Sequence, residues 1–136
     1  MVAYNVLMGV DDMHAAVRDV GRVIRPEGRF CFCVTHPMID VGAFESREAD
    51  ARFVIDQNYL GTSAFDQTFE RAGLRMRFRG RTSPLGAYAV ALESAGFLIE
   101  RLREPAQRAE AVERNPAEQR WQRLPNFLFV RAVKLS

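Results

Sequence analysis

The chain has 136 residues, 48% of them hydrophobic and 26% charged, which is enough for one domain with its own core. No apolar run approaches the roughly 18 residues of a membrane helix, and the N-terminus shows no signal peptide. The net charge of +2 is too small to indicate a nucleic-acid partner by itself. Cys31 and Cys33 would lie on one face of a strand, poorly placed to bridge, so we expect reduced thiols in a cytoplasmic protein.

The first predicted element is an amphipathic helix that begins after Asp11 or Asp12 and stops at Pro26. Gly21 inside it costs about 1 kcal/mol relative to alanine, which indicates a close contact there. Residues 30–34 form an unbroken apolar run, which predicts a strand buried on both faces of a sheet and hence an α/β fold. The apolar face of the helix repeats every three or four positions and consists of Met13, Ala16, Val17, Val20, Val23 and Ile24.

The middle of the chain predicts a short strand at residues 53–55 and a β-hairpin insertion within about residues 62–81. Apolar and polar residues alternate on both sides of Ala72-Gly73, as a hairpin requires. One face of the hairpin carries an arginine stripe, which consists of Arg75, Arg77, Arg79 and Arg81. Such a stripe is typical of a solvated face, and the alternative is a site for an anionic substrate or a nucleic-acid phosphate.

The sequence of the C-terminal part predicts a helix, a strand, a second helix and a final strand. Ser83 is predicted to cap the first of these helices, with Pro84 in its first turn and Gly96 at its end. The next three elements are predicted at residues 97–102, 106–115 and 126–135, the last apolar on both faces over Phe127 to Val130. The buried stripe of the first helix is Leu85, Tyr88, Leu92 and Ala95.

Several segments together, in their order and spacing, resemble class I S-adenosylmethionine-dependent methyltransferases. Residues 2–13 resemble the end of the fourth strand and the next helix, and residues 22–30 (RVIRPEGRF) the segment that leads into the fifth strand. Residues 83–97 resemble the helix before the sixth strand, and residues 104–105 and 125–128 the tail and seventh strand. The chain thus resembles the C-terminal half of such an enzyme.

The resemblance implies a Rossmann-like sheet in the order 3-2-1-4-5-7-6, with the seventh strand antiparallel between the fifth and sixth. This chain, a single domain over residues 1–136, would supply strands five, seven and six and a stub of strand four. The family's glycine-rich turn would be missing with strands one to three. No two glycines here are separated by one residue, so no G-x-G turn is present for a nucleotide-type cofactor.

The resemblance implies methyl transfer from S-adenosylmethionine to a small-molecule acceptor in a full-length parent. We expect this chain alone to bind the cofactor poorly and to be inactive. One alternative is a non-enzymatic fragment that self-associates, or pairs with a separate N-terminal half, through an exposed sheet edge. Another alternative is nucleic-acid binding through the arginine stripe, which a steep salt dependence would reveal.

Candidate site residues lie at the ends of strands, where α/β sheets bind ligands. Tyr4 and Asn5 end the strand-four stub, where the resemblance implies contact with the methionine end of the cofactor; a frayed terminus is the alternative. His36 ends strand five and is the candidate catalytic and substrate-binding residue, since a histidine can accept a proton from a nucleophile. The alternative for His36 is a strand-end histidine bonded to backbone.

The remaining candidates follow the hairpin. Thr82 and Ser83 stand where the family commonly has a His-Arg pair, and the resemblance places them, with Tyr88, on the substrate side. His14 has no second ligand at metal-binding spacing, so no metal site is expected.

Overall fold

The computed structural model describes the backbone of residues 1–136 and every side chain except that of Arg71. The chain forms eight strands and three α-helices, joined in places by short 3₁₀ turns. The elements are β1 (Val2–Tyr4), α1 (Met13–Val23), β2 (Arg29–Thr35), β3 (Gly42–Phe44), β4 (Phe53–Ile55), β5 (Ala64–Arg71), β6 (Leu74–Arg81), α2 (Leu85–Ser94), β7 (Phe97–Arg103), α3 (Ala109–Arg114) and β8 (Phe127–Lys134).

The central sheet has four strands in the order β1-β2-β8-β7. Strand β1 runs parallel to β2, and β8 is antiparallel to both of its neighbours. This is the order that the resemblance implied for strands four, five, seven and six. The predicted α/β fold class is therefore confirmed.

Both long helices pack on one face of this sheet. Helix α1 approaches α2 most closely at Gly21, where a Cβ atom would lie 2.7 Å from the carbonyl oxygen of Ala95. The predicted close contact at Gly21 is confirmed, and the Asp12 carboxylate caps α1 by accepting from the amide of Ala15 at 2.9 Å. The buried sheet residues are Phe30, Phe32, Val34, Leu128, Val130 and Ala132.

The opposite face of the sheet is largely open. The strand register places Val2, Tyr4, Cys31, Cys33 and Phe129 on it together. Phe129 is 37% exposed, Tyr4 62% and Val2 76%, whereas Cys33 is buried. The prediction of strands covered on both faces is therefore wrong for β8, because the helices cover only the other side. Both cysteines are free and share one face, as predicted.

The start of α2 corrects one prediction. Its N-cap is Pro84, in an extended conformation, so Ser83 does not cap the helix. The first free amide, that of Leu85, instead donates to the hydroxyl of Tyr59 at 3.2 Å. At the other end, Gly96 adopts φ +76°, the left-handed stop that was predicted.

Two further elements differ from prediction. The helix expected at residues 106–115 spans only Ala109–Arg114, has no buried residue, and gives way to a 3₁₀ turn over Pro116–Gln122. A helix without an apolar face to bury gains little from packing, so it stays short. The strand predicted at residues 53–55 is confirmed as β4, and it pairs with β3, a strand that was not predicted.

The hairpin β5–β6 occupies the predicted insertion. Its register places all four stripe arginines on one face, together with Asp66 and Glu70 of the neighbouring strand. Phe69, Met76 and Phe78 lie on the other face. Both faces are mostly exposed, and the hairpin meets the rest of the fold at its base. There, Gly80 lies so close to the carbonyl oxygen of Met8 that a Cβ atom would overlap it. None of the helices in the described part of the chain has the length and apolar character that a membrane crossing requires.

Candidate functional site

Strands β1 and β2 end side by side, and their last residues form the first part of the candidate site. Tyr4 pairs with Cys33 in the parallel register, and the amide of Asn5 donates to the carbonyl of Cys33 at 2.8 Å. Asn5 adopts φ +52°, and its side-chain oxygen lies 3.9 Å from the Cys33 thiol. Asn5 is thus tied to the sheet, while the Tyr4 ring is open to solvent. Cofactor contact by these two residues stays a prediction.

His36 is buried, with only 5% of its surface exposed, and both of its ring nitrogens are engaged. Nδ1 accepts from the amide of Met38 at 3.2 Å, and Nε2 lies 2.8 Å from the carboxylate of Glu104. Because a backbone amide can only donate, Nδ1 carries the lone pair and Nε2 carries the proton. The ring therefore joins the end of β2 to the end of β7.

This arrangement bears on the predicted role of His36 as a base. A general base needs a free lone pair within hydrogen-bond reach of its substrate. Here the lone pair of Nδ1 points at a backbone amide, as in the backbone-bonded alternative. A catalytic His36 requires the bond to Met38 to open, so the catalytic role stays a prediction.

Thr82 and Ser83 occupy the base of the hairpin. The buried Thr82 hydroxyl accepts from the amide of Ser63 at 3.0 Å and lies 3.4 Å from its carbonyl, to which it donates. The amide of Thr82 also donates to that carbonyl, at 2.8 Å. Thr82 thus closes the hairpin, and Ser83 beside it is half-buried. Substrate contact by either residue stays a prediction.

Tyr88 lies on α2, where its ring stacks on Phe32 with centroids 5.9 Å apart. The residue is buried, and burial, with a smaller contribution from the negative charge of Asp40, raises the pKa of its hydroxyl to about 12. The hydroxyl therefore stays protonated at neutral pH.

Asp40 is a functional candidate that the sequence predictions missed. It lies in the 3₁₀ turn Ile39–Val41, four residues after His36, and is half-buried. Its carboxylate makes no hydrogen bond or ion pair with any group that the structure describes. Burial raises the pKa of this carboxyl from 3.8 to about 7. The available signal was an acidic residue within the otherwise apolar residues 37–41, directly beyond a strand end.

The arginine stripe is partly neutralised. Arg77 donates two bonds to Asp66, at 2.7 and 2.6 Å, and Arg79 lies 3.5 Å from the same carboxylate. The bond from Arg77 lowers the pKa of Asp66. Only part of the stripe is therefore available to an anion, which favours the solvated face.

No protein-family model matches the sequence, and no curated protein matches it. Among solved structures, an S-adenosylmethionine-dependent methyltransferase from Mesorhizobium loti is similar at a TM-score of 0.74 and 21% identity, over 98% of this chain and 60% of that chain. Over its length, the chain has the fold of this methyltransferase.

Two other similar structures show how far the fold extends. The glycopeptide N-methyltransferase MtfA, complexed with sinefungin, matches at a TM-score of 0.57 and 13% identity, over 99% of this chain and 52% of MtfA. The [4+2]-cyclase SpnF matches at a TM-score of 0.51 and 14% identity, over 98% of this chain and 48% of SpnF. The chain therefore spans about half to 60% of the length of these structures, and the fold alone does not determine the reaction.

Proposed function

We propose that this chain is the acceptor-side, C-terminal part of an S-adenosylmethionine-dependent methyltransferase that acts on a small molecule. The observation that carries the proposal is the strand order β1-β2-β8-β7, with β8 antiparallel between its neighbours. The similarity to the M. loti methyltransferase over nearly the whole chain supports it. A cytoplasmic location, consistent with two free thiols, belongs to the same proposal.

The residues of this chain do not by themselves fit the cofactor. Tyr4 and Asn5 stand at the end of β1, where only the methionine end would reach them, and the 136 residues contain no G-x-G turn. We therefore derive no methyl-transfer step on this chain. What it supplies is a strand end with His36 held by Glu104, and an unpaired carboxylate at Asp40.

Two measurements test the proposal. Calorimetric titration of the chain with S-adenosylhomocysteine should show no binding in the micromolar range, and micromolar binding would contradict the expected dependence on a further segment. The coding sequence upstream of Met1 should encode, in frame or as a neighbouring gene, an α/β segment with a G-x-G turn. Absence of that segment, with no cofactor binding by the chain, would overturn the methyltransferase proposal.

A second candidate is pairing of this chain through its open sheet edge. Strand β1 lies at one edge of the sheet, and its residues Val2 and Tyr4 are mostly exposed. An unpaired edge is a template for another strand, so a homo-oligomer or a complex with a separate N-terminal half would cover it. Light scattering at high concentration tests self-association, and a monomer at every concentration would exclude it.

A further inference from the structure

A cleft of about 490 Å³ lies at the end of the sheet where strands β2 and β7 terminate, beside the open face. Arg103, the last residue of β7, pairs across the sheet with Phe129 of β8, and both line the cleft. Phe127, Trp121 and Arg108 complete its main walls. Its volume is within the range of roughly 300–1,000 Å³ that is usual for small-molecule sites.

The cleft adjoins the candidate site. Asn126 lines it, and the carbonyl oxygen of Asn126 accepts from the amide of His36 at 2.9 Å. Glu104, which follows Arg103 in the chain, bonds to the His36 ring. A ligand in the cleft would therefore lie next to the residues at the end of β2.

The two charged residues among those that line the cleft, Arg103 and Arg108, are both cations. Neither Arg103 nor Arg108 forms an ion pair with any side chain that the structure describes. Glu104 and Glu118 are not among the lining residues: the Glu104 carboxylate bonds to the His36 ring, and the Glu118 carboxylate accepts from the side-chain amide of Gln107 at 2.9 Å. A guanidinium binds a carboxylate through two parallel hydrogen bonds, so the cleft favours an anionic group of that shape.

The apolar walls are aromatic and held in place. The Trp121 ring meets Phe44 edge to face, with centroids 4.8 Å apart, and the Arg120 guanidinium lies 5.5 Å from the Trp121 ring centroid. A ring fixed in this way loses little conformational freedom when a ligand packs on it. Aromatic walls favour a flat, unsaturated ligand body, since ring pairs add to the gain from burial.

We propose that this cleft binds an aromatic carboxylate, with its ring against Trp121, Phe127 and Phe129 and its carboxylate at Arg103 and Arg108. The claim that this ligand is the methyl acceptor rests on the proposed function. The claim that the cleft binds this ligand depends only on the cleft itself. Cofactor titration tests the former, and ligand titration tests the latter, so the two can fail separately.

Trp121 is the only tryptophan of the chain, so its fluorescence reports directly on the cleft. The probes are phenylacetate, its neutral amide phenylacetamide, and acetate, which lacks the ring. We expect a saturable change with phenylacetate and binding about tenfold weaker with either of the other two, as loss of a charge-assisted bond or of ring burial would give.

Arg103→Gln and Arg108→Gln should each weaken phenylacetate binding about fivefold to tenfold. Arg18→Gln is the matched control, because Arg18 is an exposed residue of α1, on the other side of the sheet. All three variants replace exposed side chains and should unfold at the wild-type temperature. Equal binding of phenylacetate and phenylacetamide, or unchanged binding in the double variant of Arg103 and Arg108, would overturn the proposal.

Discussion

Asp40→Asn tests whether the half-buried carboxyl beyond β2 costs the fold stability when it ionises. Burial raises the pKa of Asp40 from 3.8 to about 7. Between these values the folded state binds more protons than the unfolded state, so the free energy of unfolding falls as the pH rises. Asparagine has nearly the same shape and does not ionise. In the variant, this part of the fall in the free energy of unfolding with rising pH should therefore be absent.

The size of the effect follows from the difference between the two pKa values. About three pKa units at 1.36 kcal/mol each give about 4 kcal/mol as an upper bound. Partial contact of the carboxyl with solvent reduces this to about 2 kcal/mol. We therefore expect Asp40→Asn to be about 2–4 kcal/mol more stable than wild type at about pH 8.5 and nearly equal to it at about pH 4.

Urea unfolding followed by circular dichroism, at several pH values from about 2 to about 8.5, measures this difference. Asp66→Asn is a control of opposite sign, because Arg77 lowers the pKa of Asp66. The stabilisation from Asp66 is present above its ordinary pKa and lost as the pH falls through the lowered value. A difference between wild type and Asp40→Asn that stays constant with pH would refute the reasoning.

Three further substitutions probe the framework of the site, each measured by urea unfolding. Gly21→Ala should lower the free energy of unfolding by about 1–3 kcal/mol, because the new methyl group would lie 2.7 Å from the Ala95 carbonyl oxygen; equal or higher stability would contradict that contact. Lys134→Met should cost about 1 kcal/mol, since the Lys134 ammonium donates to the same carbonyl at 2.6 Å, and an unchanged value would show that the bond is not formed. His36→Ala should cost about 2–4 kcal/mol by orphaning the Met38 amide, whereas His36→Asn, whose side-chain oxygen can replace Nδ1, should restore part of the loss. Equal losses in the two His36 variants would contradict the hydrogen bond between the Met38 amide and Nδ1 of His36.

The sequence by itself determined the fold class and the main turns, whereas the strand order came only from the resemblance to a known family. Apolar periodicity located α1 and α2, and Gly21 marked the helix contact, because these signals act between residues close in the chain. Alternation around Ala72-Gly73 located the hairpin for the same reason. The sequence also singled out His36 at the end of β2, next to a proline that ends the strand.

Only the tertiary structure decided which partners these residues have. Glu104 is 68 residues from His36 in the chain, and the pairing depends on how β7 and β8 are placed against β2. The unpaired carboxylate of Asp40 and the open face around Phe129 likewise depend on what packs nearby. Local patterns specify an element and its buried side, but the partners of a polar side chain are set by contacts between segments far apart in sequence, which no local pattern records.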